Sequence, residues 1–585
     1  PVTDSGVLPL PLRDDRARDR IVSDLERNFL VEAGAGSGKT TALVRRMVAL
    51  IATGTADVDA IAAVTFTRKA AAELRERFQT LLEARLHEAR AALASDADDD
   101  ADLVVERLAR ALDEIDRAFV GTIHSFCARL LRERPLDVGL DPAFEELPVE
   151  ERDGLRRRFW EAYLERLARD SDPLLEELAR AGLSPSNLYS LFDRIVENPD
   201  VDFPAEQLDA PSVAEPGEIR AELERLVDRA RELMDDAPPT RGWDSLQKKL
   251  RGLHFERDVT GWAEPRDLFE AIAVLCKPSV PHRTTFNRWR DTELTRQLVS
   301  DINDFGVGDT PAGRLVDRWY AHRYALAIRL CRAGARAFEE HRIRTGRLDF
   351  QDLLLLAARL LRENPGVRRQ LGRRYRRLLV DEFQDTDPLQ AEIMLLLSSE
   401  PDPDPAGADP EGPVRDDRPS PGGDAGAGGP PAPEDAADWR VQTPRPGALF
   451  VVGDPKQSIY RFRRADIQLY GFVRERFEAF GTVLSLSTNF RSRPPIGDIV
   501  NDVFDSVDFF PPEATREQAA FERLDTRPPA GEVPREGVFT YFLDPEASNK
   551  PSAADDDAAR LATWIRDRVD AGERRPEDFL ILTRG

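Results

Sequence analysis

The chain has 585 residues, 41% of them hydrophobic and 32% charged, which is material for about four packed domains at roughly one per 150 residues. A mean hydropathy of −0.46, and apolar runs as short as residues 353–358, exclude a membrane-spanning protein, which needs about 20 apolar residues in succession. The balance of 83 basic against 107 acidic residues gives a net charge of −24, which on its face speaks against a nucleic-acid partner.

In chain order, PVTDSGVLPLPLRDDRARDR is broken by proline and then charge where a secretory signal carries its apolar stretch. Phe29, Leu30 and Val31 form a short apolar run, GAGSG breaks it, and TTALVRRMVALI resumes at helical spacing, so residues 28–49 read as strand, glycine turn and helix. IAAVTF (61–66) predicts a second strand, leading into a helix from 69 to about 90. After the Asp-rich break SDADDDAD (95–102) come another helix and GTIHSFCARLLRE. From 135 to 345 Arg, Glu and Leu recur at helical spacing, predicting a helical insertion. Strand signals return at RLLVDEF (377–383), ALFVVGD (448–454), TVLSLS (482–487), GVFTYFL (537–543) and DFLILT (578–583). Short apolar strands alternating with helices predict a parallel sheet covered on both faces. Residues 400–440, rich in Pro, Gly, Asp and Ala, predict a disordered acidic surface loop. Cys127, Cys276 and Cys331 lie far apart, which excludes a disulfide framework and a paired CxxC metal site and points to a reducing cytoplasm.

AGAGSGKTT (33–41) carries the sharpest chemistry. Glycines let backbone N–H groups wrap phosphates, a lysine brings a compact charge to the β/γ oxygens, and the next hydroxyl ligates Mg²⁺. Ala33, Gly34, Ala35, Gly36, Ser37, Gly38, Lys39, Thr40 and Thr41 are therefore the ATP-binding candidates, with Ala33 standing where the simplest pattern has glycine. A glycine turn that happens to contain GKT is the bland alternative; the preceding strand and following helix favour the phosphate loop. In LLVDEFQDTD a strand delivers Asp381, a candidate for holding Mg²⁺ together with Thr40, and Glu382, a candidate for orienting or deprotonating the attacking water. Paired acids after a strand are common; their weight comes from the phosphate loop.

VEAGAGSGKTT, AVTFTRKAAAELRER, GTIHSFC, LLVDEFQDTDPLQ, VVGDPKQSIYRFRRAD and STNFRSRPPI follow one another over residues 31–493. In this order they resemble the motifs of superfamily 1 DNA helicases of the UvrD type, and GDPKQSIYRFR with the helical insertion is closest to the AddA/RecB helicase-nuclease motor branch. The resemblance implies an α/β fold: a RecA-like P-loop motor domain with a parallel sheet, built from 1–134 and 346–481, a helical insertion at 135–345, and the start of a second RecA-like domain at 482–585. It also implies an ATP- and Mg²⁺-dependent, 3′–5′ translocase on single-stranded and junction DNA, acting in break repair and recombination, with a partner from the same helicase-nuclease. Gln457 would sense the γ-phosphate, Arg491 would be an arginine finger, and Phe490 would stack on adenine. Thr65, Phe66, Thr122, His124, Tyr460 and Phe462 would contact single-stranded DNA, aromatic faces stacking on bases and hydroxyls gripping phosphates.

The sequence departs from the family pattern in three places. No Gln precedes Asn28, and Asp15 stands in the region of the adenine-reading residue; Arg464 replaces a customary Gly; and LTRG ends the sequence at what resembles a strand of the second motor domain, so the chain reads as an N-terminal piece of a longer helicase. Two rivals stay open: a generic P-loop kinase or ATPase indifferent to DNA, and a binding or scaffold module holding ATP or DNA without turnover. The charge map removes the opening objection. Residues 400–440 hold eleven acids against three arginines, a net −8, whereas 65–77, 121–134 and 451–466 are each +2 and 368–377 is +6. Lysine occurs only at 39, 69, 248, 249, 277, 456 and 550, and three of the seven fall inside motifs.

Overall fold

The structure is a computed structural model that describes residues 12–95, 99–199, 201–203, 211, 217–277, 284–399, 438–458, 467–505, 509–511, 513, 515, 518–527, 537–541 and 550–583. It divides into two compact units, Pro1–Val138 with Asp352–Gly585, and Gly139–Gln351.

The first unit is built on β1 (Asn28–Ala33), β2 (Ile61–Thr65), β3 (Phe119–Thr122), β4 (Arg377–Val380), β5 (Leu449–Gly453) and β6 (Gly481–Leu486). All six are parallel, in the order β3-β2-β4-β5-β1-β6. β2, β4 and β5 are buried at every position, which explains why they read as continuous apolar runs rather than alternating ones: both faces of a parallel sheet are covered. The helices α1 (Asp15–Ser23), α2 (Lys39–Ala52), α3 (Arg68–Ser95), α4 (Asp99–Asp113) and α5 (Ile123–Glu133) belong to the same unit. Leu43, Met47 and Leu50 of α2 join Phe29, Val31, Leu74, Phe78, Phe450 and Val452 in one core. Arg46 lies inside it, 1% exposed, between the rings of Phe29 and Phe450. Its guanidinium donates to the carbonyls of Ile21, Asp24, Leu25 and Arg27, satisfying the turn that joins α1 to β1.

The expectation that a second motor domain begins at residue 482 is corrected. β6 is the edge strand of the first sheet, paired with β1 from Asn28↔Gly481 to Ala33↔Leu486. Without it β1 would present an open ladder on that side. Gly481 is needed for the approach, since a Cβ there would lie 2.7 Å from the Asn28 carbonyl oxygen. The strand expectations at 537–543 and 578–583 also fail for the described residues. No neighbouring strand pairs with them, and Phe539, Leu580 and Leu582 are exposed. β3 has no counterpart among the expected strands, because FVGT carries only two apolar residues. Of the expected loop at 400–440, residues 400–437 lie outside the described residues.

The second unit, Gly139–Gln351, is helical around its own core, which includes Trp160, Phe192, Trp262, Phe269, Trp319 and Phe338. Its longest helix, Pro311–Thr345, begins with Thr310 as side-chain cap and proline in the first turn, and stops at Gly346 in the left-handed region. A two-residue parallel pair, Glu145↔Arg347 and Glu146↔Leu348, holds the entering and leaving strands of the unit side by side. Among the described residues no helix is long and apolar enough to cross a membrane.

Candidate functional site

Because the six strands are parallel, their carboxyl ends share one edge of the sheet, where open α/β sheets place their ligands. The segments that follow β1, β2, β3, β4, β5 and β6 are the sequence motifs themselves.

After β1, Gly36 (φ 73°) and Gly38 (φ 86°) adopt left-handed conformations that favour glycine, and Gly38 caps α2. Ala33 is the last residue of β1 and is buried. It is not among the residues with positive φ, so the missing glycine costs the loop nothing in backbone terms. Lys39, Thr40 and Thr41 form the first turn of α2, whose unpaired N–H groups suit an anion. Ser37 is buried and its hydroxyl has no hydrogen-bond partner.

After β4, Asp381 hydrogen-bonds the Thr40 side chain and accepts the Glu382 N–H at 3.0 Å. Burial first, and then the neighbouring Glu382, push the Asp381 carboxyl up to about 6. Asp385 is raised to about 6 by the same two causes, and one of its oxygens is buried without a partner. Glu382 has φ 54° and ψ 44°, a strained conformation for a residue with a Cβ. It accepts the Lys39 ammonium at 2.7 Å and the Gln384 amide at 2.8 Å on the same oxygen.

After β5, Asp454 organises a turn. Its carboxylate accepts the Lys456 N–H at 3.1 Å and the Gln457 amide at 2.8 Å. After β6, Asn489 donates to the Ala35 carbonyl at 2.8 Å and Phe490 N–H donates to the Gly36 carbonyl at 2.9 Å. Asn489 also accepts the N–H groups of Arg491 and Ser492. Packing is so close that a Cβ on Gly36 would lie 2.6 Å from the Arg491 Cβ. Phe490 and Arg491 are exposed beside the phosphate loop.

The structure thus brings together Lys39, Thr40, Asp381 and Glu382, and sets Phe490 and Arg491 against the loop. Gln457 is turned onto Asp454. Thr65 and Thr122 face each other across β2 and β3. Thr65 is buried, Phe66 and His124 are half-buried, and the Thr122 side chain caps α5 by accepting the Ser125 N–H. Tyr460, Phe462 and Arg464 lie outside the described residues.

Sequence reasoning missed Asp14, Arg18, Gln384 and Asn489. Asp15 is not the inward residue: its carboxylate accepts the Leu12 N–H. Asp14 is buried and bonds Arg18 through both oxygens and Thr488 through its N–H and hydroxyl. Arg18 donates to the Ser37 carbonyl at 2.9 Å and lies 5.0 Å from the Phe490 ring centre. The Asp–Arg spacing of four residues on one helix face was the available signal.

A six-stranded parallel sheet with a phosphate loop after β1 and an acidic pair after β4 defines a RecA-like P-loop motor domain. A family model for the UvrD/REP helicase N-terminal domain matches residues 14–403 and 440–478, and the chain belongs to that family. It is similar to bacterial proteins named as the AddA component of an ATP-dependent helicase/nuclease. The one from Exiguobacterium sibiricum is 29% identical, over 85% of this chain and 40% of the relative. That from Pediococcus pentosaceus is 24% identical, over 84% and 38%, and that from Latilactobacillus sakei 26%, over 82% and 53%. The chain therefore spans about 40% of the length of most of the relatives it matches.

Proposed function

We propose that this chain is the ATP-hydrolysing motor part of a DNA helicase of the AddA helicase/nuclease type, moving 3′ to 5′ on single-stranded DNA in double-strand break repair in the cytoplasm. The observation that carries it is the meeting of four motif segments on one sheet edge: Lys39 and Thr40 from the end of β1, Asp381 and Glu382 from β4, the Asp454–Gln457 turn from β5, and Asn489–Arg491 from β6.

ATP phosphates would lie against the N–H groups of 34–40 and the Lys39 ammonium. Thr40 and Asp381 fit Mg²⁺, being a hydroxyl and a carboxylate already in contact; hard oxygen ligands, few from protein and the rest from phosphate and water, are how this ion is held. When bound it supplies charge neutralisation between the phosphates. Glu382 would orient or deprotonate the attacking water, Arg491 would stabilise transition-state charge, and Phe490 would stack on the base. Gln457 would report the γ-phosphate to the DNA-facing turn. Thr65, Phe66, Thr122, His124, Tyr460 and Phe462 would line the strand path, stacking bases and gripping backbone. Glutamate and arginine both act within one closed cleft, so nucleotide turnover opens and closes the DNA grips. The helical unit would face the duplex junction or a partner from the helicase-nuclease, and 488–585 would begin the second motor domain.

The test is the rate of ATP hydrolysis with and without single-stranded DNA, for wild type and Lys39→Ala. Stimulation by DNA in wild type and loss of turnover in the variant are expected. Hydrolysis indifferent to DNA favours a generic P-loop ATPase, and binding without turnover favours a scaffold module.

A further inference from the structure

The carboxylate expected to act on water and the turn expected to sense DNA belong to different strands, and one side chain joins them. Gln384 is 3% exposed, in the short turn Phe383–Asp385 that follows Glu382. Its Nε2 donates to Glu382 Oε2 at 2.8 Å, and its Oε1 accepts the Asp454 N–H at 2.8 Å. Its own carbonyl accepts the Ser458 hydroxyl at 3.2 Å. Gly453 makes room for it: a Cβ there would lie 2.8 Å from the Gln384 oxygen and 3.2 Å from its N–H nitrogen. The path runs without a gap from the phosphate loop to the sensing turn: Lys39 to Glu382, Glu382 to Gln384, Gln384 to the Asp454 backbone, and the Asp454 carboxylate to Gln457.

Only an amide of this length meets both demands. The Glu382 end needs a donor, the Asp454 end needs an acceptor, and a primary amide offers one of each on a planar group. A glutamate would keep the acceptor but face a carboxylate with a carboxylate. An apolar isostere would leave a buried N–H and one side of Glu382 unpaired.

We propose that Gln384 is a positioning residue for this reaction: it fixes the Glu382 carboxylate and ties its orientation to the Asp454–Gln457 turn, so that occupation of the DNA-facing turn is felt at the hydrolytic carboxylate. This rests on the function proposed above. It assigns Gln384 no contact with nucleotide, so nucleotide affinity and turnover must part company when it is changed.

The experiment compares wild type, Gln384→Met and Gln384→Glu in the intact protein, by ATP hydrolysis across single-stranded DNA concentrations and by binding of a fluorescent ADP analogue. Expected is a fall of roughly 10- to 100-fold in DNA-stimulated kcat, the size usual for a misplaced catalytic base, with KM for ATP and analogue affinity within about threefold of wild type. The ratio of stimulated to basal rate should drop towards one, and Glu should be no better than Met despite its closer shape. Gln384→Met with wild-type kcat and stimulation would overturn the role of Gln384, as would a loss of analogue binding in step with turnover, which marks general damage to the site. Wild type without DNA stimulation is a separate outcome and refutes the functional reading instead.

Discussion

Asp14 offers the sharpest structural test, because it is buried, charged and holds two segments far apart in sequence. Its side chain is 3% exposed. Asp14→Ala removes two hydrogen bonds from Arg18 and two from Thr488, at 3.1, 2.8, 3.1 and 2.9 Å. Thr488 is fully buried, so its N–H and hydroxyl are left without this acceptor, at about 1–3 kcal/mol for an unsatisfied group. Stripping one partner from a buried ion pair costs about 3–5 kcal/mol. These overlap rather than add, and the expected loss is about 3–5 kcal/mol for the variant, against about 1–2 kcal/mol for Asp14→Asn, which keeps one acceptor oxygen. Urea unfolding of the nucleotide-free protein measures it. Nucleotide affinity should weaken roughly fivefold in Asp14→Ala, since Arg18 then loses its anchor while still holding the Ser37 carbonyl, a bond worth about 1 kcal/mol. Burial works against the Asp14 charge, but the Arg18 and Thr488 hydrogen bonds outweigh it and hold the carboxyl below its ordinary value. Its stabilisation is therefore present above about pH 4 and is lost as pH falls through the lowered value. An Asp14→Ala protein within about 0.5 kcal/mol of wild type, the range of ordinary surface changes, would refute the latch.

Two further outcomes follow from the loop and the acids. Gly36→Ala puts a Cβ at φ 73° and 2.6 Å from the Arg491 Cβ, a backbone cost of about 1–2 kcal/mol plus displacement of the Asn489–Arg491 segment; ATP hydrolysis should fall at least about tenfold, and unchanged kinetics would show the contact is idle. Asp381 and Asp385, raised to about 6, hold protons in the folded state that the unfolded chain has released above about pH 4, so these two groups make the metal-free protein more stable at about pH 5 than at about pH 7. Mg²⁺-nucleotide binding should run the other way, weakening as pH falls through about 6 because the ligand must be deprotonated; calorimetry on wild type and Asp381→Asn checks both signs, the variant flattening its share.

The sheet's inner strands were legible because each is an apolar run with motif residues at its carboxyl end, and parallel strands collect those ends on one edge. Ala33, Lys39, Thr40, Asp381 and Glu382 were found that way. What escaped notice depends on pairing across long sequence separations. Gly481–Leu486 reads as a strand in either motor domain, and only its ladder with Asn28–Ala33 assigns it to the first. The choice between Asp14 and Asp15 turns on a helix phase set by the first residue of α1, which adjacent identical side chains do not reveal. Gln384 and Asn489 bond backbone groups of Asp454 and Ala35, and a backbone partner leaves no trace in residue type.

The resting contact between Lys39 and Glu382 has a consequence for turnover on the proposed reading. Glu382 is held in a left-handed conformation that costs an L-residue about 1–2 kcal/mol, and two hydrogen bonds from Lys39 and Gln384 hold it there. Lys39 is only 12% exposed along its side chain, so water screens the pair weakly. A phosphate entering the loop competes for the same ammonium, replacing one anionic partner with another. Glu382 then gives up one of its two donors at the moment a substrate arrives and keeps Gln384, whose amide is fixed from the β5 side. Freed from Lys39 but not from Gln384, the carboxylate has an oxygen lone pair available for water while its orientation stays set by the turn that carries Gln457.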